Sequence, residues 1–230
     1  MKTRNQKPEV RGRKPEGRKA DLRPLTFDLC PLLVVISAPS GGGKTTLCQH
    51  LLSARPDMTR AVTCTTRAPR NGETDGADYY FLDATSFLKR VQAGNFLEHA
   101  TVYGHSYGTL KSEVLGKLRL GKDVLLNVDV QGAAAIRERA GEDGELKRAL
   151  VSVFLTPPSA AILEKRLRRR GTDSTAAIQK RLSVARQEVA QWKSFDYLLI
   201  STSIEEDLRR IMAIVDAEKM RSARMPPPEF

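Results

Sequence analysis

Apolar positions along the chain alternate between two registers. Leu32-Leu-Val-Val-Ile36 is a short unbroken apolar run, β-branched in its second half, that ends in a glycine-rich turn. A run of that kind is the pattern of a strand buried on both faces of a parallel sheet. Asp123–Val130, Leu150–Leu155 and Tyr197–Ile200 repeat it. Between them, Gly43–Ala54 carries Leu47, Leu51 and Leu52 on one helical face, and Lys111–Leu120 and Ile204 to Met220 also have helical spacing. Two strongly charged helices, Ser159–Arg170 and Ser174–Trp192, follow Pro157-Pro158. Buried strands alternating with helices predict an α/β fold, a parallel sheet covered by helices on both faces.

Residues 61–110 break the alternation. Short extended segments at Ala61–Thr66, Tyr79–Leu82 and Phe96–Tyr103 surround a short helix at Ala84–Ala93, capped at or near Thr85, among many polar residues. The expectation is a core built from residues 29–60, 111–157 and 191–222, an inserted mixed α/β lobe at 61–110 and a helical lid at 158–190. Residues 1–28 read as a disordered basic tail and 223–230 as a frayed C-terminus.

Charge changes the picture only locally. Among 230 residues the formal net charge is +11, but residues 2–23 hold nine Lys/Arg against three Asp/Glu, so the tail supplies more than half of it. A nucleic-acid partner is therefore not expected, except through that tail, and the core lacks the aromatics that would stack bases. Three cysteines without a CxxC pair, and three unclustered histidines, argue against a disulfide or zinc framework and fit a cytoplasmic setting. No apolar run approaches the roughly 20 residues that span a bilayer. Oligomeric state is left open.

The chemistry starts at Ala38-Pro-Ser-Gly-Gly-Gly-Lys-Thr45, between the first strand and the first helix. Glycines let successive backbone N–H groups curl around phosphates, and the helix N-terminus adds partial positive charge. Ala38, Pro39, Ser40, Gly41, Gly42, Gly43, Lys44, Thr45 and Thr46 are thus the expected segment for a nucleoside triphosphate. Lys44 would reach the β/γ-phosphates and the Thr45 hydroxyl would ligate Mg²⁺, directly or through water. Ala38 stands where the usual pattern has Gly, a position that needs only a small residue. Further on, Thr65-Thr-Arg-Ala-Pro-Arg70, Gly72-Glu73 and Asp78-Tyr79 put two arginines and a tyrosine in the polar insert. Guanidinium forks match a phosphate bidentately. Phe96-Leu-Glu98, Tyr103-Gly-His-Ser-Tyr-Gly-Thr109 and Leu126-Asn-Val-Asp-Val-Gln-Gly132 complete the series, the last at the carboxyl edge of a core strand, where such sheets bind ligands.

From about Leu32 to Met220, with these motifs in order, the chain resembles the guanylate kinase family. The resemblance implies ATP and GMP as substrates, Mg²⁺ as cofactor, and residues 61–110 as a GMP-binding lobe. It implies that Arg67, Arg70, Tyr79 and Tyr107 hold the GMP phosphate, with Glu73 orienting the arginines, and that Thr63, Glu98, Thr109 and Asp129 contact guanine. The chemistry agrees, because guanine offers N1–H and amine donors to carboxylates, whereas adenine would leave those acceptors poorly paired. Lys44, Arg67, Arg166, Arg170 and Arg181 are the implied catalytic residues, the last three as phosphate clamps on the lid. GMP's phosphate has a second pKa of about 6, so its attacking oxygen needs no general base. Asn127, Thr63-Cys64, His105-Ser106 and Ser201-Thr202 depart from the family pattern, which leaves adenine recognition around Ser201 the least defined part. A non-catalytic interaction module of the same fold, and a related kinase with another phosphorylated acceptor, are the competing readings.

Overall fold

The computed structural model of the chain describes residues 30–102, 104–169 and 174–225. The basic tail at 1–28, Tyr103, Arg170 and the last five residues lie outside the described residues. In chain order the elements begin with β1 (Leu33–Ser37), α1 (Lys44–Ala54), β2 (Met58–Arg60), β3 (Thr63–Thr65), β4 (Tyr79–Phe81) and α2 (Ala84–Gln92). They continue with β5 (Phe96–Val102), β6 (His105–Leu110), α3 (Lys111–Arg119), β7 (Asp123–Asn127), α4 (Val130–Glu142) and α5 (Gly144–Ala149). Last come β8 (Leu150–Thr156), α6 (Ala160–Arg169), α7 (Thr175–Val189), β9 (Tyr197–Ile200) and α8 (Ile204–Lys219).

Five strands form the main sheet in the order β2-β7-β1-β8-β9, every neighbour parallel. β1 lies at its centre, and all five of its residues are buried. The pleat sends its side chains alternately to two cores. Leu33 and Val35 join Val114 and Leu118 of α3, Ile136 of α4 and Leu146 of α5. Val34 and Ile36 join Leu47 and Leu51 of α1 with Ile211 and Val215 of α8. Helices on both faces explain why β1 reads as an unbroken apolar run. Asp123 fixes the lower end of the sheet: it is 1% exposed, Oδ1 accepts from the Leu32 N–H at 2.9 Å, and Oδ2 lies 2.7 Å from Lys219 Nζ.

A second sheet has the order β4-β3-β6-β5, with β3–β4 parallel and the other pairs antiparallel. Cross-strand partners share a face, so its register carries one row of side chains across four strands: Tyr79, Thr63, Thr109 and Glu98. Cys64 on the other face packs with Phe87 and Phe96. A register shift between Phe96 and Glu98 makes the row possible, because it turns Glu98 toward the Thr109 face while Phe96 and Leu97 stay in separate cores.

Four features differ from the sequence expectation. The strand expected over Asp123–Val130 stops at Asn127, because Asp129 caps a helix from Val130, accepting from the Gly132 N–H at 2.8 Å. That helix, α4, and α5 after it stand where none was expected. The extended stretch at 61–66 is preceded by β2 in the main sheet, and β6 follows β5 where nothing was assigned. The cap of α2, expected at or near Thr85, is placed at Asp83, with Oδ1 accepting from the Ser86 N–H. Asp123→Ala is expected to lower the unfolding free energy by about 3 kcal/mol, since it leaves the buried Leu32 amide unpaired and Lys219 with only its longer contact to Asp57. Urea denaturation measures it, and a loss under half that size would mean the contacts are redundant.

Candidate active site

The turn after β1 runs from Ala38 to Thr45 at the carboxyl edge of the main sheet. Gly41 and Gly43 have φ of 88° and 98°, the left-handed region that side chains avoid. Gly43 is the N-cap of α1 and offers no side chain to it, and the first turn of the helix holds no acid. The helix N-terminus thus keeps its N–H donors and partial positive charge for an anion. Lys44 is half-buried and its Nζ donates to the Val128 carbonyl at 2.6 Å, tying the turn to the segment after β7. Burial lowers the Lys44 pKa, against the opposing charge of Asp129. Ala38 through Thr46, together with Asp129 and Glu188, line one cavity of about 300 Å³. Thr45 is exposed at the start of α1.

Beside this cavity lies another of about 510 Å³, walled by Gly41, Gly43, Thr46, Arg166 and residues 201–204. Arg166 reaches across from α6: Nη1 donates to the Gly42 carbonyl at 3.3 Å, and both Nη1 and Nη2 donate to Ser201 Oγ at 3.1 Å. Ser201 in turn donates to Asp207 Oδ2 at 2.6 Å, and the Thr202 N–H to Asp207 Oδ1 at 3.0 Å. The Ser201-Thr202 departure therefore carries a defined polar network. Arg181 is half-buried on α7.

The arginine group belongs to the second sheet. Arg67 binds Glu73 through two hydrogen bonds of 2.9 Å, Nη1 to Oε2 and Nη2 to Oε1, and Glu73 Oε2 also accepts from the Arg70 N–H at 2.7 Å. The Arg67 guanidinium holds the Glu73 carboxyl down at about 2, and the pair pushes the Arg67 pKa further up. Arg67 lies beside Tyr107 and 5.3 Å from the Tyr79 ring centroid; Tyr79 and Tyr107 meet edge to face. Arg70 is exposed. Arg67, Glu73, Tyr79 and Tyr107 are thus one group, separate from Lys44 and Arg166.

Glu98 ends the four-strand row. It is 7% exposed and its Oε1 accepts from Thr109 Oγ1 at 2.7 Å. Burial raises its pKa above the ordinary 4.5, and the charge of Asp129 adds to the rise. A Cβ at Gly132 would lie 3.4 Å from both Glu98 Oε2 and Asp129 Oδ1, so the two carboxylates converge over the bare first turn of α4. Asp129 thereby borders both the end of the row and the phosphate-loop cavity.

Sequence reasoning missed Glu188 and Asp207. Glu188 had a visible signal, since it lies seven residues after Arg181 on the same helix and so shares its face. Asp207 had none, because only the fold brings α8 beneath Ser201.

A family model described as guanylate kinase matches residues 31–218. A guanylate kinase of Maricaulis maris is 40% identical over 195 residues, covering 85% of this chain and 87% of that one. One from Coxiella burnetii is 43% identical over 189 residues, 82% of this chain and 88% of its own. The crystal structure of guanylate kinase from Anaplasma phagocytophilum superimposes with a TM-score of 0.65 at 32% identity, over 86% of this chain and 92% of that one.

The elevated Glu98 pKa has a definite sign for stability. The folded chain holds that proton more tightly than the unfolded chain, so this contribution is present below pH 4.5 and is lost as pH rises toward the folded value. Urea midpoints across that window are expected to shift in favour of Glu98→Gln relative to the parent as pH rises. A constant difference would mean that Glu98 titrates normally.

Proposed function

Because the chain belongs to the guanylate kinase family and is an ATP:GMP phosphotransferase, we propose a division of labour among the residues just described. The observation that carries it is the convergence of Glu98 and Asp129 beside a lysine-bearing phosphate loop. Two carboxylate acceptors there match the N1–H and amine donors of guanine. Thr63 and Thr109 lie in the same row and supply hydroxyls to the base. At the other end of the row, Arg67, Arg70, Tyr79 and Tyr107 take the GMP phosphate. Glu73 acts through Arg67, keeping its fork rigid so that little side-chain freedom is lost on binding.

ATP's phosphates lie along Ala38–Thr46 in this reading, with Lys44 at the β/γ end. The adenine side extends toward Arg166, Ser201 and Thr202, where Asp207 orients the serine. Hard oxygen donors, the Thr45 hydroxyl and the Asp129 carboxylate, edge the phosphate cavity, and so few protein ligands suit a Mg²⁺ that is carried mainly by phosphate oxygens. Mg²⁺ would be held at Thr45 and would draw charge from the β- and γ-phosphates. The acceptor phosphate is anionic at neutral pH, so the residues' task is alignment and neutralisation. Lys44 and Arg166 offset charge on the donor side; Arg170 and Arg181 join them when the lid closes. Closure also excludes water that would hydrolyse ATP. Three free cysteines, with Cys48 and Cys64 pushed by burial up to about 12 and 11, support a reducing cytoplasmic setting.

The test is ADP production from Mg·ATP with GMP, AMP, CMP, UMP or no acceptor. Turnover with GMP alone is expected, and turnover with another nucleotide in its stead would overturn the guanine assignment. Arg70→Ala is expected to raise KM for GMP by roughly ten- to a hundredfold, the worth of a charge-assisted phosphate contact, with KM for ATP unchanged. Unaltered GMP kinetics would remove Arg70 from the site.

A further inference from the structure

Glu188 is an acid in a cavity built for anions. It sits near the end of α7, yet it lines the same cavity as the loop, and its carboxylate lies against the Ser40 backbone N–H, one of the phosphate-loop donors. Its Oε2 is buried without a hydrogen-bond partner. The charged groups facing it are Lys44 from α1 and Asp129 from the N-cap of α4. No other side chain of the lid helices lines this cavity among the described residues. The same helices also rest on the loop through apolar atoms. Leu167 of α6 packs with Ile178 and Ala185 of α7, and its Cδ2 is 2.7 Å from the point a Cβ on Gly41 would occupy.

A carboxylate and a phosphate make the same demands of a loop N–H and a lysine: both are anions that accept charge-assisted hydrogen bonds. They cannot share those donors at little cost, because like charges at contact repel strongly in a partly desolvated cavity. We propose that Glu188 is a tethered anion that competes with the nucleotide's phosphates for the phosphate loop. Resting on the reading of that loop as the ATP site, this makes Glu188 a positioning residue that couples α7 to phosphate occupancy. When phosphate takes the Ser40 N–H, the carboxylate must leave and α7 moves with it, together with Arg181 two turns earlier on its face. ATP affinity is thereby set partly by the work of displacing an internal ligand, and lid position reports whether the loop is filled.

The competition predicts a gain of affinity on mutation, which damage to the fold does not produce. Pyrophosphate binding to the full chain in the presence of a chelator, measured by titration calorimetry, isolates the loop from metal. Glu188→Gln, which removes the charge, and Glu188→Ala, which removes the acceptor as well, are each expected to bind about three- to tenfold tighter than the parent, the net worth of one ordinary hydrogen bond, since the displaced carboxylate recovers part of its own pairing in water. KM for ATP should fall in step, with KM for GMP unchanged. Unchanged or weaker pyrophosphate binding by both variants, while the parent binds normally, overturns the proposal and leaves the ATP site standing. A parent chain that binds neither pyrophosphate nor ATP overturns both.

Discussion

The placement of β1 between two parallel neighbours is the constraint on which the rest depends. Parallel pairing aligns the carboxyl ends of β7, β1 and β8, so the segments that leave them emerge on one edge. The phosphate loop leaves β1 there, and the Val128-Asp129 turn leaves β7 beside it. The bond from Lys44 to the Val128 carbonyl holds the two together. Burial of β1 on both faces makes this register costly to change, since any slip would exchange the residues given to its two cores. The second sheet uses the opposite economy. Its back face packs on a small core around Phe87 and Phe96, and its front face carries polar groups whose order is fixed by hydrogen-bonded register.

Sequence and structure agree where burial alone decides the pattern. β1, β8 and the phosphate loop were legible because a strand covered on both faces must be apolar throughout, and because tight curvature demands glycine. The failures have physical causes. β2 is three residues long, Met58-Thr-Arg60, too short to display a period. β6, His105–Leu110, does not read as apolar because Tyr107 and Thr109 face the site, while on its core face Gly108 makes room for Phe96. α4 opens directly on Asp129, which ends one element and caps the next, so the apolar residues on either side merge into one apparent strand. Arg67 and Glu73 were legible as a unit only through the family resemblance. The geometry adds that Glu73 grips Arg67 and the Arg70 backbone at once, leaving the Arg70 side chain exposed. Glu188 and Asp207 were beyond reach because each acts on a partner far away in sequence.

Electrostatically the site is a pair of opposed regions. The phosphate loop, Arg67 and Arg166 are positive, whereas Glu98, Asp129 and Glu188 bring acid into their midst. Two of those acids converge beside Gly132, and the third shares the loop cavity with Lys44. In the proposed reading, that arrangement sorts one end of a substrate from the other.

The row Tyr79, Thr63, Thr109, Glu98 also bears on how such a protein can diverge. Its four members lie on four strands, drawn from separate stretches of the gene, and each also packs or pairs within the sheet that displays it. Under the proposed base contacts, a change of acceptor base would involve Glu98, Thr109 and Thr63 on three strands together with Asp129 at the cap of α4, while the sheet stayed intact. Selectivity shared in that way among several strands would shift only when several of them change together.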